Sequence, residues 1–250
     1  MAHKTLISGT AYSVTGGREL IGGTGYGCKA GKTLIGGTAF TVPFSKGIPL
    51  STITPGAILY INESGSPVPF YIAKHDYESG LNGAGRTLVV RRDCYDKRAF
   101  NRSNNTYSGS QMDTWLTGTY LNLLSSDVKK AVSTTKFKIA NGTNSSISTL
   151  ERSVFILSCV ELGRGSGFND GEALPIAEKM QIAKINGTAV GQWTRTPGRN
   201  STVFEVYLST AGFVGSERPF SVDYGSRPAF TLPGTLGLAQ NPDGTYTLAV

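Results

Sequence analysis

Ser110-Gln111-Met112-Asp113-Thr114-Trp115-Leu116-Thr117-Gly118-Thr119-Tyr120-Leu121-Asn122-Leu123-Leu124 is the clearest helical stretch in a chain otherwise written in strand and turn residues. Ser110 and Asp113 stand in the S-x-x-D form of a capping box, in which the serine hydroxyl accepts from the backbone N–H three residues on. Trp115, Leu116, Tyr120, Leu123 and Leu124 then follow helical spacing. Gly118 opposes the helix, since glycine inside one costs about 1 kcal/mol relative to alanine. Residues 126–132 read as a second short helix capped by serine. This spacing makes Trp115 a core residue rather than a ligand platform.

Outward from this stretch the texture turns to β. Residues 57–61 (AILYI), 70–73 (FYIA) and 87–90 (TLVV) are strand candidates on the N-terminal side, separated by Gly, Ser and Asn. On the C-terminal side, 154–157 (VFIL) has the continuous apolar run of a buried strand. Residues 203–208 (VFEVYL) alternate, and 229–232 (AFTL) form another strand candidate. Residues 172–185, with Pro175 near the start, read as a short helix. Asn241-Pro242-Asp243-Gly244 supplies turn chemistry for a closing hairpin. One main helix among many strands predicts an α+β domain with long loops and a mixed or antiparallel sheet.

The N-terminus is organised differently. Lys4-Thr5-Leu6-Ile7-Ser8-Gly9-Thr10-Ala11-Tyr12-Ser13-Val14 returns 14 residues later from Arg18, with Leu20, Ile21 and Tyr26 in the same slots, and again from Lys32, with Leu34, Ile35 and Phe40. Each unit reads as two very short strands joined by a glycine turn. Cys28 fills the slot of Val14 and Val42, which argues for packing rather than chemistry. Units this small cannot bury their own apolar faces, so stability requires neighbours. Those are expected to be other subunits, met through Leu6, Ile7, Tyr12, Leu20, Ile21, Tyr26, Leu34, Ile35 and Phe40. The alternative is a meander folded back on its own domain. Two prolines and a glycine in residues 43–51 mark a linker, giving an arm over 1–50 and a globular domain over 51–250.

Composition narrows the function. The chain has 250 residues, 39% hydrophobic and 16% charged, with 32 glycines, which excludes a disordered chain and a helical bundle. Of the net charge of +7, +4 falls in the first 50 residues, and no basic stripe is interleaved with aromatics, so nucleic acid is not an expected partner. The start lacks an apolar run of signal-peptide length, and no stretch is long enough to cross a bilayer. Synthesis in a cytoplasm without membrane insertion follows as an expectation. Cys28, Cys94 and Cys159 are odd in number and far apart, as buried thiols rather than disulfides or zinc ligands. His3 and His75 leave almost no material for a Ser-His-Asp arrangement or a histidine metal site. Asp170 and Glu172 in 167–172 (GFNDGE) offer at most a weak calcium loop and read better as a solvated turn, and no carboxylate pair is spaced to suggest a glycosidase. No enzyme and no cofactor is the expectation.

Four segments together carry a family likeness: 110–121 (SQMDTWLTGTYL), 154–158 (VFILS), 193–198 (WTRTPG) and 226–230 (SRPAF). Over residues 55–232 they resemble a family of bacterial and phage domains related to the C-type-lectin-like fold, shared with formylglycine-generating enzymes and with ligand-binding proteins of diversity-generating retroelements. The repeat separately looks like segments of phage structural proteins. The resemblance singles out Trp115, Trp193, Arg195, Pro197, Gly198, Arg227, Pro228 and Phe230 as framework; Gln192-Trp193-Thr194 departs from it, where a second tryptophan and a leucine are usual. Copper-dependent formylglycine chemistry needs a close thiol pair, for which Cys94 and Cys159 are the only candidates in the domain; Cys159 fits a buried structural role better. Arg195 and Arg227 read as guanidinium groups satisfying backbone carbonyls. Such domains pair their two chain ends in a sheet and display the intervening loops. The loop residues expected to bind are Arg102, Asn104, Asn105, Tyr107, Arg199 and Asn200. The resemblance implies a virion protein of a bacteriophage, in head, neck or tail, partnered by other virion proteins and by copies of itself, with a trimer among the fitting symmetries. The alternative is a receptor-binding module recognising a host-surface carbohydrate or protein.

Overall fold

The computed structural model describes the backbone of six strands between residues 3 and 41, and then residues 47–249 apart from 166 and 203–204. The chain divides into two compact units, Met1–Gly47 and Ile48–Val250.

In the first unit, β1 (His3–Ile7) pairs antiparallel with β2 (Thr10–Val14), β3 (Arg18–Ile21) with β4 (Thr24–Gly27), and β5 (Lys32–Ile35) with β6 (Thr38–Thr41). The register is the same each time: Ile7 faces Thr10, Ile21 faces Thr24, and Ile35 faces Thr38. The 14-residue sequence period is therefore one hairpin per repeat, and each hairpin is a two-stranded sheet of its own. The side chains expected to dock, Leu6 through Phe40, lie outside the described residues, as does Cys28.

The second unit is α+β, with one main sheet and a few short helices. Its strands are β7 (Ile48–Pro49), β8 (Ile58–Glu63), β9 (Ser66–Lys74), β10 (Arg86–Arg91), β11 (Thr135–Ala140), β12 (Ile147–Arg152), β13 (Ala183–Ile185), β14 (Thr188–Val190), β15 (Gln192–Pro197), β16 (Glu205–Leu208), β17 (Val214–Glu217), β18 (Ala229–Pro233), β19 (Gly237–Gln240) and β20 (Tyr246–Leu248). Its helices are α1 (Ser79–Asn82), α2 (Gln111–Trp115), α3 (Ser126–Ala131) and α4 (Ala177–Met180). The main sheet runs β18-β10-β9-β8-β20-β19-β7. Its pairs are antiparallel except β20 against β8. Residues 48–49, inside the stretch read as linker, thus form an edge strand of this sheet against β19.

The core is built on this sheet. Leu59, Ile61, Phe70, Ile72, Leu88, Val89, Val90, Phe230 and Leu232 are all fully buried. The Phe70 and Phe230 rings meet edge to face at 5.5 Å, across the strands that flank β10. Ser110 caps α2 as expected, its Oγ accepting from the Asp113 N–H at 3.0 Å, and Met112, Leu116 and Tyr120 enter the same core.

Four expected features come out differently. The long helix stops being α-helical after Trp115: residues 116–120 form a wider turn, and 121–123 a tight one. Thr117 Oγ1 donates to the Asp113 carbonyl at 2.8 Å, the side-chain back-bonding that bends helices. Ser125 precedes α3, but its hydroxyl makes no capping bond. Residues 154–157 are fully buried yet form no strand beyond one bridge, Phe155 to Ala229. Side chains satisfy the backbone there instead: the Tyr107 hydroxyl accepts from Ile156 N–H at 3.3 Å, and Arg195 Nη1 donates to Ile156 O at 2.9 Å. The helix expected over 172–185 shrinks to the four residues of α4. The Met180 carbonyl at its end accepts from Arg227 Nη1 and Gln192 Nε2.

Candidate functional site

Arg195, on the fully buried strand β15, carries its charge into the centre of the unit with no exposed surface. Glu161, equally buried, meets it with two parallel bonds, Nη1 to Oε2 at 2.5 Å and Nη2 to Oε1 at 2.7 Å. The remaining donors reach carbonyl oxygens of three separated segments: Nε to Lys138, Nη1 to Ile156 and Nη2 to Asp170. Glu161 also accepts from the Tyr77 hydroxyl at 2.5 Å and the Ser158 N–H at 2.9 Å. Burial works against the Arg195 charge, but the Glu161 carboxylate outweighs it and holds the guanidinium above its ordinary range. Burial, then Glu161, pushes the Tyr77 phenol up. A carboxylate with both oxygens engaged and a guanidinium with all its nitrogens engaged form a closed knot.

Asp170 belongs to this knot, which corrects its reading as part of a solvated turn. It is fully buried, and its Oδ2 accepts from Thr196 Oγ1 at 2.6 Å. Its Oδ1 has no hydrogen-bond partner among the described residues, and burial raises its pKa. Glu172 faces outward enough to pair with Lys74, 2.5 Å away, and also accepts from the Glu78 N–H. Among the described residues no group of three or more His, Cys, Asp or Glu is placed to hold a metal ion.

Arg227 forms a second knot, this time wholly with neutral acceptors: the carbonyls of Arg91, Arg92 and Met180 and the side chain of Gln192. Burial lowers its pKa. Gln192 and Trp193, where the sequence departs from its likeness, are both buried, and the Trp193 indole donates to Arg98 O at 2.8 Å. Pro197, Gly198, Pro228 and Phe230 are buried as well. Trp115 is only half-buried, and the Arg98 guanidinium stacks 3.2 Å from its ring centroid, so that face is occupied. The Cys94 and Cys159 thiols are buried; burial pushes the Cys94 thiol up to about 12. His75 sits between Thr87 Oγ1 and Ile53 O, at 2.9 and 2.7 Å.

The two loops expected to bind are brought together. Asn105 donates from its backbone to Thr202 O at 3.1 Å and from Nδ2 to Ser201 O at 2.9 Å. Ser201 N–H donates to Gly142 O, which adds a third loop. Gly142 must be glycine, because a Cβ there would collide with the Gly198 and Ser201 carbonyls and the Asn105 amide. Arg102, Asn104, Arg199 and Asn200 are exposed on this cluster. Asn105 and Tyr107 are not available on its surface, being 5% and 3% exposed; Asn105 ties the loops, and Tyr107 packs on Phe100 and Phe137.

Sequence reasoning passed over Glu161, Tyr77 and Gly142. Nothing local marks Glu161, in Cys159-Val160-Glu161-Leu162; its one signal is a carboxylate directly after an apolar run. Fold and site together define an α+β domain whose charged interior serves as scaffold. The chain belongs to the family described as a domain of unknown function, DUF6273, which it matches over residues 84–234. No curated protein and no solved structure matches it.

Proposed function

We propose that this chain is a non-enzymatic structural protein of a bacteriophage virion, a head, neck or tail component docked by its N-terminal arm and carrying a C-type-lectin-like domain. The observation that supports this most is the arm: three hairpins of one register, each a two-stranded sheet with two open edges. An isolated two-stranded hairpin is marginal in water, so repeats of it favour association with copies of itself or with other virion proteins. The lectin-like reading is supported by the sheet of the second unit, where strands from both ends of the unit lie together, β7 on β19 and β20 on β8. The non-enzymatic reading is supported by Arg195, Glu161 and Arg227, whose buried charged groups are engaged with one another, with neighbouring side chains and with backbone. Sedimentation of the full chain and of residues 48–250, a unit with its own core, tests the proposal. The full chain is expected to be oligomeric, a trimer or larger, and the truncated chain monomeric. A monomeric full chain would refute the docking role.

The three-loop cluster favours a second reading, a module that recognises a host-surface carbohydrate or protein through Arg102, Asn104, Arg199 and Asn200. Saturable binding of the purified chain to intact host cells, lost on replacing Arg102 and Arg199 by alanine, would establish it over a purely architectural role.

A further inference from the structure

We infer that Tyr207 and Tyr224 form a site of oxidative modification, where a one-electron oxidant of the peroxidase class joins the two rings into a dityrosine within one chain. Their ring centroids lie 4.1 Å apart, with the planes inclined by 37°, and the Tyr224 hydroxyl is hydrogen-bonded to that of Tyr207. Rings stacked this closely with their hydroxyls bonded bring together the carbons ortho to the two oxygens, which carry unpaired spin in a phenoxyl radical. Holding reacting atoms near contact turns a bimolecular encounter into an intramolecular step. Two phenols give up two electrons to the oxidant and two hydroxyl protons to solvent. The radicals then form one C–C bond between their ortho carbons, and the ring hydrogens there move to the oxygens, which restores both phenols.

Glycines hold this geometry. Tyr207, in β16, stands opposite Gly215 of β17 on one side and Trp193 of β15 on the other. A Cβ at Gly215 would lie 2.6 Å from Tyr207 Cζ, and one at Gly191 would lie 2.7 Å from Tyr224 Cδ1. Each ring therefore rests against bare backbone, and a side chain at either glycine would displace it. Trp193, 1% exposed, packs its ring 4.7 Å from that of Tyr224. Both tyrosines keep part of their surface in solvent, where electrons and protons can leave. Burial, then the bond to Tyr207, holds the Tyr224 phenol above its ordinary range, so at neutral pH its oxidation releases a proton with the electron. Tyr95 and Tyr120 show the contrast: their centroids are 5.7 Å apart, their planes stand at 85°, and the Tyr120 hydroxyl is committed to Glu63. The new bond would tie β16 to the segment between β17 and β18, constraining the unfolded chain as a disulfide does. It forms within one chain, so it is independent of the docking arm.

Brief oxidation of the full chain with a photogenerated Ru(III) complex, read by dityrosine fluorescence and by mass-spectrometric mapping of crosslinked peptides, tests the assignment. The first product is expected to be an intrachain link between Tyr207 and Tyr224, ahead of every other pairing among the chain's 11 tyrosines. Tyr207→Phe and Tyr224→Phe should each abolish that early fluorescence, and Tyr95→Phe should leave it unchanged. In urea the preference should vanish, because the fold supplies the geometry. The inference is overturned if the folded protein forms no dityrosine, if the first link joins other residues or two chains, if either phenylalanine variant at 207 or 224 keeps the parent's signal, or if the preference persists in urea.

Discussion

Arg195 can carry its charge through the interior because Glu161 supplies a matched charge and three carbonyls accept the remaining donors. Forming such a pair gains little net stability, but removing one partner strands the other without water. Arg195→Met should therefore cost about 3–5 kcal/mol, read from the urea unfolding midpoint; a loss below about 1 kcal/mol would mean that the pair behaves like a surface ion pair. Asp170 makes the opposite kind of prediction. Burial raises its pKa above the ordinary 3.8, so the folded state holds the proton more tightly than the unfolded chain. Stability is then highest with Asp170 protonated and declines as pH rises from about 4 through the raised folded value. Asp170→Asn keeps an oxygen for Thr196 and removes the ionisation, so the thermal midpoint of the variant should fall less between about pH 4 and 7. An unchanged slope would place the pH dependence elsewhere.

At the scale of elements, backbone bonds are repeatedly handed to side chains. The segment 154–157 has strand composition but only the single bridge of Phe155 to Ala229, because the Tyr107 hydroxyl and the Arg195 guanidinium take the Ile156 backbone groups. The helix after Ser110 loses its α geometry where Thr117 turns back on Asp113. The loop cluster closes on Gly142, where only a missing side chain lets three backbones meet. Gly142→Ala should thus cost about 1–3 kcal/mol by overpacking and loosen the junction. Hydrogen exchange checks this: the amides of Asn105 and Ser201, which donate to Thr202 O and Gly142 O, should exchange faster than in the parent, while amides of β9 and β10 keep their protection. Equal exchange at the junction would show that the loops are held by something other than this close approach.

At the scale of the molecule, two kinds of information separate. Local pattern in the sequence determined the strands of the main sheet from 58 to 91, the closing hairpin, the cap at Ser110 and the three repeat hairpins, because period-2 alternation, turn residues and capping geometry act over a few neighbouring residues. The α+β class follows from the same patterns. What only the tertiary structure decided is what happens where distant segments meet: the burial of Asp170, the pairing of Glu161 with Arg195 across 34 residues, the conversion of 154–157 from strand to scaffolded loop, and the withdrawal of Asn105 and Tyr107 from the surface. A polar or charged residue is written the same way whether it faces water or a partner brought from elsewhere in the chain. Its role depends on which donors and acceptors the fold delivers to it.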